Sequence, residues 1–388
     1  MIGGSSLAAP PRRRLRERSF GLARKLLAVN WLFVLCVCLL AGVGYAALYS
    51  AGGGSMQPYA NSQLFRFLGA LVLMLGLAVT DIRFIARFSW PAYALGVLLL
   101  LVVMVAGHTG LGAKRWISLG GFDLQPSELM KLFLAMALGA HFRRASADQA
   151  SNLLFLLPAA LAILLPVGLI LKEPNLGTAV ITAAIGGTVM LGAGVRWWYF
   201  AILVAVLAVA APVLYHHLHA YQQARIITFL NPGSDPLGAG YNIIQSKIAL
   251  GSGGMFGQGY LHGTQNQLNF LPEKQTDFVF TIIAEEFGYL GSMAVLALLF
   301  AIVTLAFHTA MTCDHVYGRL VALGIGTNFF LYCFVNLSMV MGLIPVGGVP
   351  LPLISYGGSA LTAVMLGFGV LQSIHVHRHV EFADSGDF

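Results

Sequence analysis

The sequence predicts an all-α polytopic membrane protein, a bundle of about ten transmembrane helices with one large extracytoplasmic loop between the seventh and the eighth. Three observations predict it. Hydrophobic residues make up 58% of the 388 and charged residues only 10%, with a mean hydropathy of +0.80, a balance that soluble domains of this length do not approach. Apolar runs of about 17 to 25 residues, enough to cross about 30 Å of hydrocarbon, recur along the chain. Lys and Arg gather in alternate links between those runs, which is the pattern that orients spans in a bilayer.

In chain order, a basic tail at 1–26 leads into spans expected at 27–49, 63–80, 90–106, 127–142, 152–171, 175–195, 197–216, 277–307, 318–344 and 354–376, and a short tail closes the chain at 379–388. The spans and their links form one transmembrane domain, 27–378. The fourth span is short, and the sixth is rich in Gly, Ala and Thr. The first follows Arg12, Arg13, Arg14, Arg16, Arg18, Arg24 and Lys25 and is too long for a cleaved signal, so it reads as a retained anchor. With that tail inside, Arg83, Arg87, Arg143, Arg144, Arg196, Arg319 and Arg378 also fall inside, making fourteen of the 22 basic residues. Both termini are therefore expected in the cytoplasm. The net charge of +7 is explained by topology and attraction to anionic lipid, and no nucleic-acid partner is expected. Cys36, Cys38, Cys313 and Cys333 show no metal-ligand spacing and read as packing residues.

One link breaks the pattern of short connections. Residues 217–276 form an outer loop of 60, and loops of that length tend to be functional. Its apolar residues, Phe229, Leu230, Ile243 and Ile244 among them, suit docking on the membrane or on the bundle. Gly251, Gly253, Gly254, Gly257, Gly259 and Gly263 permit tight turns and close backbone approach. No strand precedes them and no Gly-Lys-Ser/Thr follows, so this is not a phosphate-binding P-loop.

Charges at the ends of spans carry the chemistry. Glu128 and Lys131, three apart, share a helix face. They read either as a structural ion pair or as a pair facing a cavity, with Lys114 and Arg115 adding positive charge suited to phosphate. Asp277 stands where a polar run, Leu271 to Thr276, meets the apolar run of the eighth span. At about 100° per residue, Glu285 lies roughly 80° and Glu286 roughly 180° around the helix from it, so the two glutamates are assigned to interhelical bonding. Position alone leaves two roles open for Asp277: helix N-cap, or general base with access to water.

Several blocks occur in one order along nearly the whole chain: Lys114-Arg115-Trp116-Ile117 with Gln125-Pro126-Ser127-Glu128-Leu129-Met130-Lys131; Glu173-Pro174-Asn175-Leu176-Gly177-Thr178; Phe270-Leu271-Pro272-Glu273 with Thr276-Asp277-Phe278; Ala284-Glu285-Glu286-Phe287-Gly288; and Pro350-Leu351-Pro352-Leu353-Ile354-Ser355-Tyr356-Gly357-Gly358-Ser359. Together they resemble the SEDS family of RodA, FtsW and SpoVE. Gln267-Leu268 and Gly347-Gly348-Val349 look more like the elongation branch than the division branch. Two positions depart from the family pattern: Asn175 stands where an Asp is usual, and Gln275 where a His usually precedes Thr-Asp.

The resemblance implies a peptidoglycan glycosyltransferase in the bacterial cytoplasmic (inner) membrane, polymerising lipid II into β-1,4-linked glycan strands at the outer face and releasing undecaprenyl pyrophosphate. On that reading Asp277 takes the proton of the acceptor hydroxyl, and Arg115, Lys131, Lys247 and Lys274 are candidates to neutralise the leaving pyrophosphate. Glu128, Glu273, Thr276 and Ser355 complete the expected substrate-binding set, while Ser355, with Tyr356 and Ser359, reads equally as satisfying backbone. A divalent cation, Mg or Mn, could assist, although no cage of oxygen ligands stands out and no metal residue is assigned. The implied partners are the nascent glycan strand, membrane lipid, a class B penicillin-binding transpeptidase and the elongation complex. Alternatives from other classes are a lipid II transporter, which needs polar residues along the full depth of a path, and a structural scaffold; a division-type polymerase is the alternative within the family.

Overall fold

The computed structural model describes residues 21–380 and 382, apart from 111–112, 121, 218–219, 232, 234–238, 269 and 346. The arginines at 12 to 18 and all of the C-terminal tail except residues 379, 380 and 382 lie outside the described residues. A short α1 (Leu22–Leu27) leads to α2 (Trp31–Ala51), which starts where the Asn30 side chain accepts the Phe33 N–H. Then come α3 (Ala60–Val79), α4 (Ile82–Arg87), α5 (Ser89–Ala106), α6 (Pro126–Phe142), α7 (Ala147–Ala150), α8 (Leu153–Lys172), α9 (Leu176–Gly192) and α10 (Trp197–His217). Beyond the long link lie α14 (Val279–Thr312), α15 (Val316–Val340) and α16 (Gly358–Val376).

Among the described residues, seven helices are long and apolar enough to cross a membrane: α2, α3, α5, α8, α14, α15 and α16. Apolar stretches in α9 and α10, Leu176–Gly192 and Trp197–Val213, are shorter, and α6 has 17 residues and carries Glu128 and Lys131. The core lies where α15 and α16 meet α6, α3 and α14. Small residues let these backbones approach: a Cβ on Gly44 of α2 would sit 2.7 Å from the Ile354 Cα, and one on Gly369 of α16 would sit 2.9 Å from the Met74 carbonyl. Leucines and valines such as Leu32, Leu35, Val72 and Val204 point outward, as a lipid-facing surface requires.

One expectation needs correction. The chain is not wholly α: β1 (His108–Gly110), β2 (Ala113–Leu119) and β3 (Phe122–Leu124) form a small antiparallel sheet, with Ile117 opposite Leu124 and Leu119 opposite Phe122. The Trp-Ile-Ser-Leu run suits a strand, and Gly120, at φ 58°, supplies the left-handed turn that a tight hairpin needs. The 60-residue loop holds three helices, α11 (Ala220–Leu230), α12 (Ala239–Ser252) and α13 (Thr264–Gln267), and α12 packs on α14 and α15 with Ile243 buried, one of the two dockings expected for it.

The glycine-rich part of that loop is a backbone joint. Within α14, Gly288 adopts φ 65°, ψ −158°, which breaks the helix two turns in. The loop main chain enters the break: Tyr289 and Leu290 donate to the carbonyls of Gly254 and Met255, while Gln258 and Gly259 donate to those of Glu285 and Glu286. Helical hydrogen bonds lost at the break are thus replaced by four from the loop, as an apolar surrounding demands. A Cβ on Gly257, at φ 84°, would lie 2.1 Å from the Glu286 carbonyl oxygen, so this contact requires glycine.

Candidate active site

Asp277 occupies a turn rather than a helix. Helix α14 begins at Val279, its N-cap is Phe278, and no side chain caps it. Asp277 is therefore not a helix cap, and because α14 begins two residues beyond it, the helical angles expected between Asp277 and Glu285 or Glu286 do not apply. The turn is fixed by its backbone: Thr276 and Asp277 both donate to the Glu273 carbonyl, at 3.1 and 3.2 Å, with Glu273 itself at φ 56°. Thr276 Oγ1 also donates to the Glu273 carboxylate at 3.1 Å, and the Gln275 carbonyl accepts the Tyr356 N–H at 2.8 Å. Glu273 and Thr276 therefore shape the turn that presents Asp277.

The Asp277 carboxylate is half-buried, and no described residue hydrogen-bonds it. Burial, reinforced by the negative charge of Glu273 and opposed by Arg225, pushes its pKa up from the usual carboxylate range to about 6. Its carbonyl accepts from Asn336 Nδ2 at 2.9 Å, and Gly348 borders the carboxylate, a Cβ there falling 3.8 Å from Oδ2. A group with that pKa, water access and uncommitted oxygens can accept a proton near neutral pH.

The two glutamates of α14 are committed elsewhere, as expected. Glu285 Oε1 accepts from Thr264 Oγ1 at 3.1 Å and from the Gln265 N–H at 2.9 Å. Glu286 Oε1 accepts from Ser50 and from Asn266 Nδ2. Lys274 points into the same cluster, donating to the Asn266 carbonyl and Oδ1 at 2.8 Å each, and burial lowers its pKa against the opposing pull of Glu286. Lys274 therefore joins two parts of the loop, next to the Glu286 cluster that Asn266 enters.

Glu128 and Lys131 do pair, at 2.8 Å with both side chains nearly inaccessible, and the Tyr332 hydroxyl hydrogen-bonds both. The three partners satisfy one another, as a structural pair requires, and Lys131 also borders a cavity shared with Asn328 and Phe329, so the two arrangements expected of the pair coexist. Arg115 is held at the end of α8: its guanidinium donates to the carbonyls of Glu173, at 3.1 Å, and Pro174. The Glu173 side chain is buried with both carboxyl oxygens unpartnered among the described residues, and burial, opposed by Arg115, pushes its pKa to about 8. Asn175 caps α9 by accepting the Thr178 N–H, so this departure from the usual Asp keeps a capping contact.

Ser355 satisfies backbone, as one of its two expected roles requires: its Oγ accepts the Leu351 N–H at 2.8 Å and its carbonyl accepts Gln63 Nε2 at 2.9 Å. Ser359 Oγ likewise accepts the Gln125 N–H, and Tyr356 stands between the Tyr59 ring and the Arg66 guanidinium. Lys247 on α12 is exposed, its stem crossing Gly342. The structure thus brings Glu273, Thr276 and Asp277 together and holds Lys131 and Ser355 within the bundle. The side chain of Lys114 lies outside the described residues. Sequence reasoning passed over Tyr332, Asn336 and Glu173, although a polar residue in or beside an apolar span is itself a signal. Among the described residues no three His, Cys, Asp or Glu side chains group to hold a metal ion.

The profile of the cell cycle protein family that groups FtsW, RodA and SpoVE matches residues 25–380. The chain is 39% identical over 347 residues to the peptidoglycan glycosyltransferase MrdB of Escherichia coli K12, an overlap covering 89% of this chain and 93% of that protein. It also matches the structure of a peptidoglycan synthase complex that coordinates polymerization and crosslinking, with TM-score 0.78, 30% identity and coverage of 92% of this chain and all of that one. The crystal structure of the rod shape determining protein RodA of Thermus thermophilus is similar at TM-score 0.67 and 28% identity, covering 92% of this chain and 99% of that one.

Proposed function

The chain belongs to the FtsW/RodA/SpoVE family of cell cycle proteins, and from that premise we propose that it is a peptidoglycan glycosyltransferase that polymerises lipid II during cell elongation. The acceptor is the 4-hydroxyl of a GlcNAc residue and the donor is the anomeric carbon of a lipid-linked MurNAc. Asp277 takes the hydroxyl proton as the O4–C1 bond forms on the face opposite the leaving group. The C1–O bond to pyrophosphate breaks, and undecaprenyl pyrophosphate departs with the electron pair. One displacement inverts the centre, giving a β-1,4 link from an α-linked donor. Pyrophosphate leaves as a stable anion, so no second carboxyl acts as acid, unlike the pair that glycoside hydrolysis employs.

The observation that carries this reading is the half-buried Asp277 carboxylate, which no described residue hydrogen-bonds; burial, which raises its pKa, agrees with it. With Lys131 enclosed by Glu128 and Tyr332, the leaving pyrophosphate is met instead by cations exposed on the long link, Arg225 of α11 and Lys247 of α12. In this reading the chain crosses the cytoplasmic membrane ten times, α6, α9 and α10 completing the set, with both termini inside and Asp277 outside. The similarity to a synthase complex that couples polymerization to crosslinking supports a transpeptidase partner.

Purified Asp277→Asn protein given lipid II is expected to lose polymerisation by about 10²-fold or more while folding normally, as removal of a general base requires. Near-full activity would remove Asp277 as base. Translocation of lipid II in liposomes, measured on the same pair, separates polymerase from transporter.

A further inference from the structure

We propose that Asn336 is the positioning residue of this site, its side-chain amide fixing the turn that carries Asp277 against the segment that walls the Asp277 carboxylate. The proposal rests on the reading of Asp277 as general base. Asn336 lies on α15 one turn before the helix ends at Val340, and it is fully buried among apolar neighbours. Its Nδ2 donates to two main-chain carbonyls from different parts of the chain, Asp277 at 2.9 Å and Val349 at 2.8 Å.

Both carbonyls matter for where the carboxylate sits. The Asp277 carbonyl is not absorbed into α14, because the Thr281 N–H donates to Phe278 instead. Val349 adjoins Gly348, whose left-handed backbone, φ 65°, places its α-carbon beside Asp277 Oδ2. One nitrogen therefore sets the height of the base and the position of the wall next to it. A carboxamide suits this place because its nitrogen offers two hydrogens without a charge, which a buried site between two carbonyls demands. The reversed amide would set Oδ1 against two carbonyl oxygens, so the partners fix its orientation. Oδ1 in turn has no hydrogen-bond partner among the described residues, a cost in stability accepted for the two bonds that Nδ2 makes. Asn336 touches neither the carboxylate nor the reacting hydroxyl, and its influence passes through Asp277.

The test uses full-length protein in lipid II polymerisation, with thermal unfolding measured alongside. Asn336→Leu keeps the side-chain size and removes both donors, and kcat is expected to fall about 10 to 100-fold, the scale of a misplacement near 1 Å, with KM changed less than about twofold and the fold retained. Combined with Asp277→Asn, the same substitution is expected to cost nothing further, since no base remains to position. A raised KM at unchanged kcat, or losses that multiply in the double variant, would overturn the proposal. Should Asn336→Leu fail to fold, Asn336→Asp, of the same shape with at most one donor, is expected to show the same kcat loss, and full activity from it overturns the proposal too. Loss of activity in Asp277→Asn beside a fully active Asn336→Leu removes the positioning role alone. Full activity in Asp277→Asn removes the base and the positioning role together.

Discussion

Replacing Lys131 with Met separates the two roles that sequence allowed for it. Lys131 is 1% exposed and its Nζ lies 2.8 Å from Glu128 Oε1, so neither charge is screened by solvent. Lys131→Met leaves the Glu128 carboxylate with the Tyr332 hydroxyl as its donor, and stranding one charge of a buried pair costs about 3 to 5 kcal/mol. Replacing both charges, in Glu128→Gln with Lys131→Met, removes the stranded carboxylate and is expected to recover most of that loss, because a neutral buried pair avoids the desolvation of two ions. Unfolding in detergent followed by tryptophan fluorescence, and polymerisation of lipid II by each variant, are the assays. The structural reading expects a lowered melting temperature in the single variant and recovery of both stability and activity in the double one. A double variant that is stable yet inactive would refute it, because Lys131 would then be serving the pyrophosphate directly. An unaltered melting temperature in the single variant would equally show that the pair does not support the fold.

Three further outcomes follow from the same geometry. Asp277 must be ionised to act as base, so the rate is expected to rise with pH through about 6, and Glu273→Gln, which removes the charge that helps raise that pKa, shifts the acid limb of the profile to lower pH; an unmoved limb in that variant argues against the assignment. Glu173 has a folded pKa raised to about 8, so its contribution to stability is present below its unfolded value and is lost as pH climbs through 8; Glu173→Gln is expected to flatten that decline in melting temperature, and a parallel curve would count against a buried neutral acid. Gly257→Ala drives a Cβ to 2.1 Å from the Glu286 carbonyl at φ 84°, and overpacking together with left-handed strain is expected to destabilise by about 2 to 4 kcal/mol, read as earlier proteolysis of the 253–259 segment.

Which parts of the molecule the sequence discloses depends on how far apart the interacting groups lie. Spans are local, and the runs at 27–49, 63–80 and 90–106 correspond to α2, α3 and α5 because length and hydropathy alone determine them. The hairpin at 108–124 escaped because a short amphipathic stretch between two spans leaves little periodicity to read. Helices α11 and α12 escaped because their moderate polarity resembles that of a loop, while their order comes from packing on one another and on the spans.

The candidate site divides in the same way. Glu128 and Lys131 announce their pairing by spacing, but Tyr332, which completes the cluster, is 204 residues from Glu128. Glu286 is claimed by Ser50, 236 residues away, and Asn336 reaches Asp277 across 59. Every acidic side chain near a span is expensive unless donors surround it, and those donors come from parts of the chain that no spacing rule connects. Sequence could therefore list the carboxylates and set Glu285 and Glu286 apart from Asp277, but it could not name the donors that satisfy them. Glu128, Glu285 and Glu286 accept hydrogen bonds that hold helices and loop together, and Glu273 shapes the turn. Asp277 differs in having its main chain held by Asn336 while its carboxylate faces Gly348, where no side chain intervenes. Glu173 also has a held carbonyl and unpartnered oxygens, but it is buried, whereas the free oxygens of Asp277 lie on a partly exposed residue where a substrate can reach them, and that access distinguishes Asp277 from the other acids of the bundle.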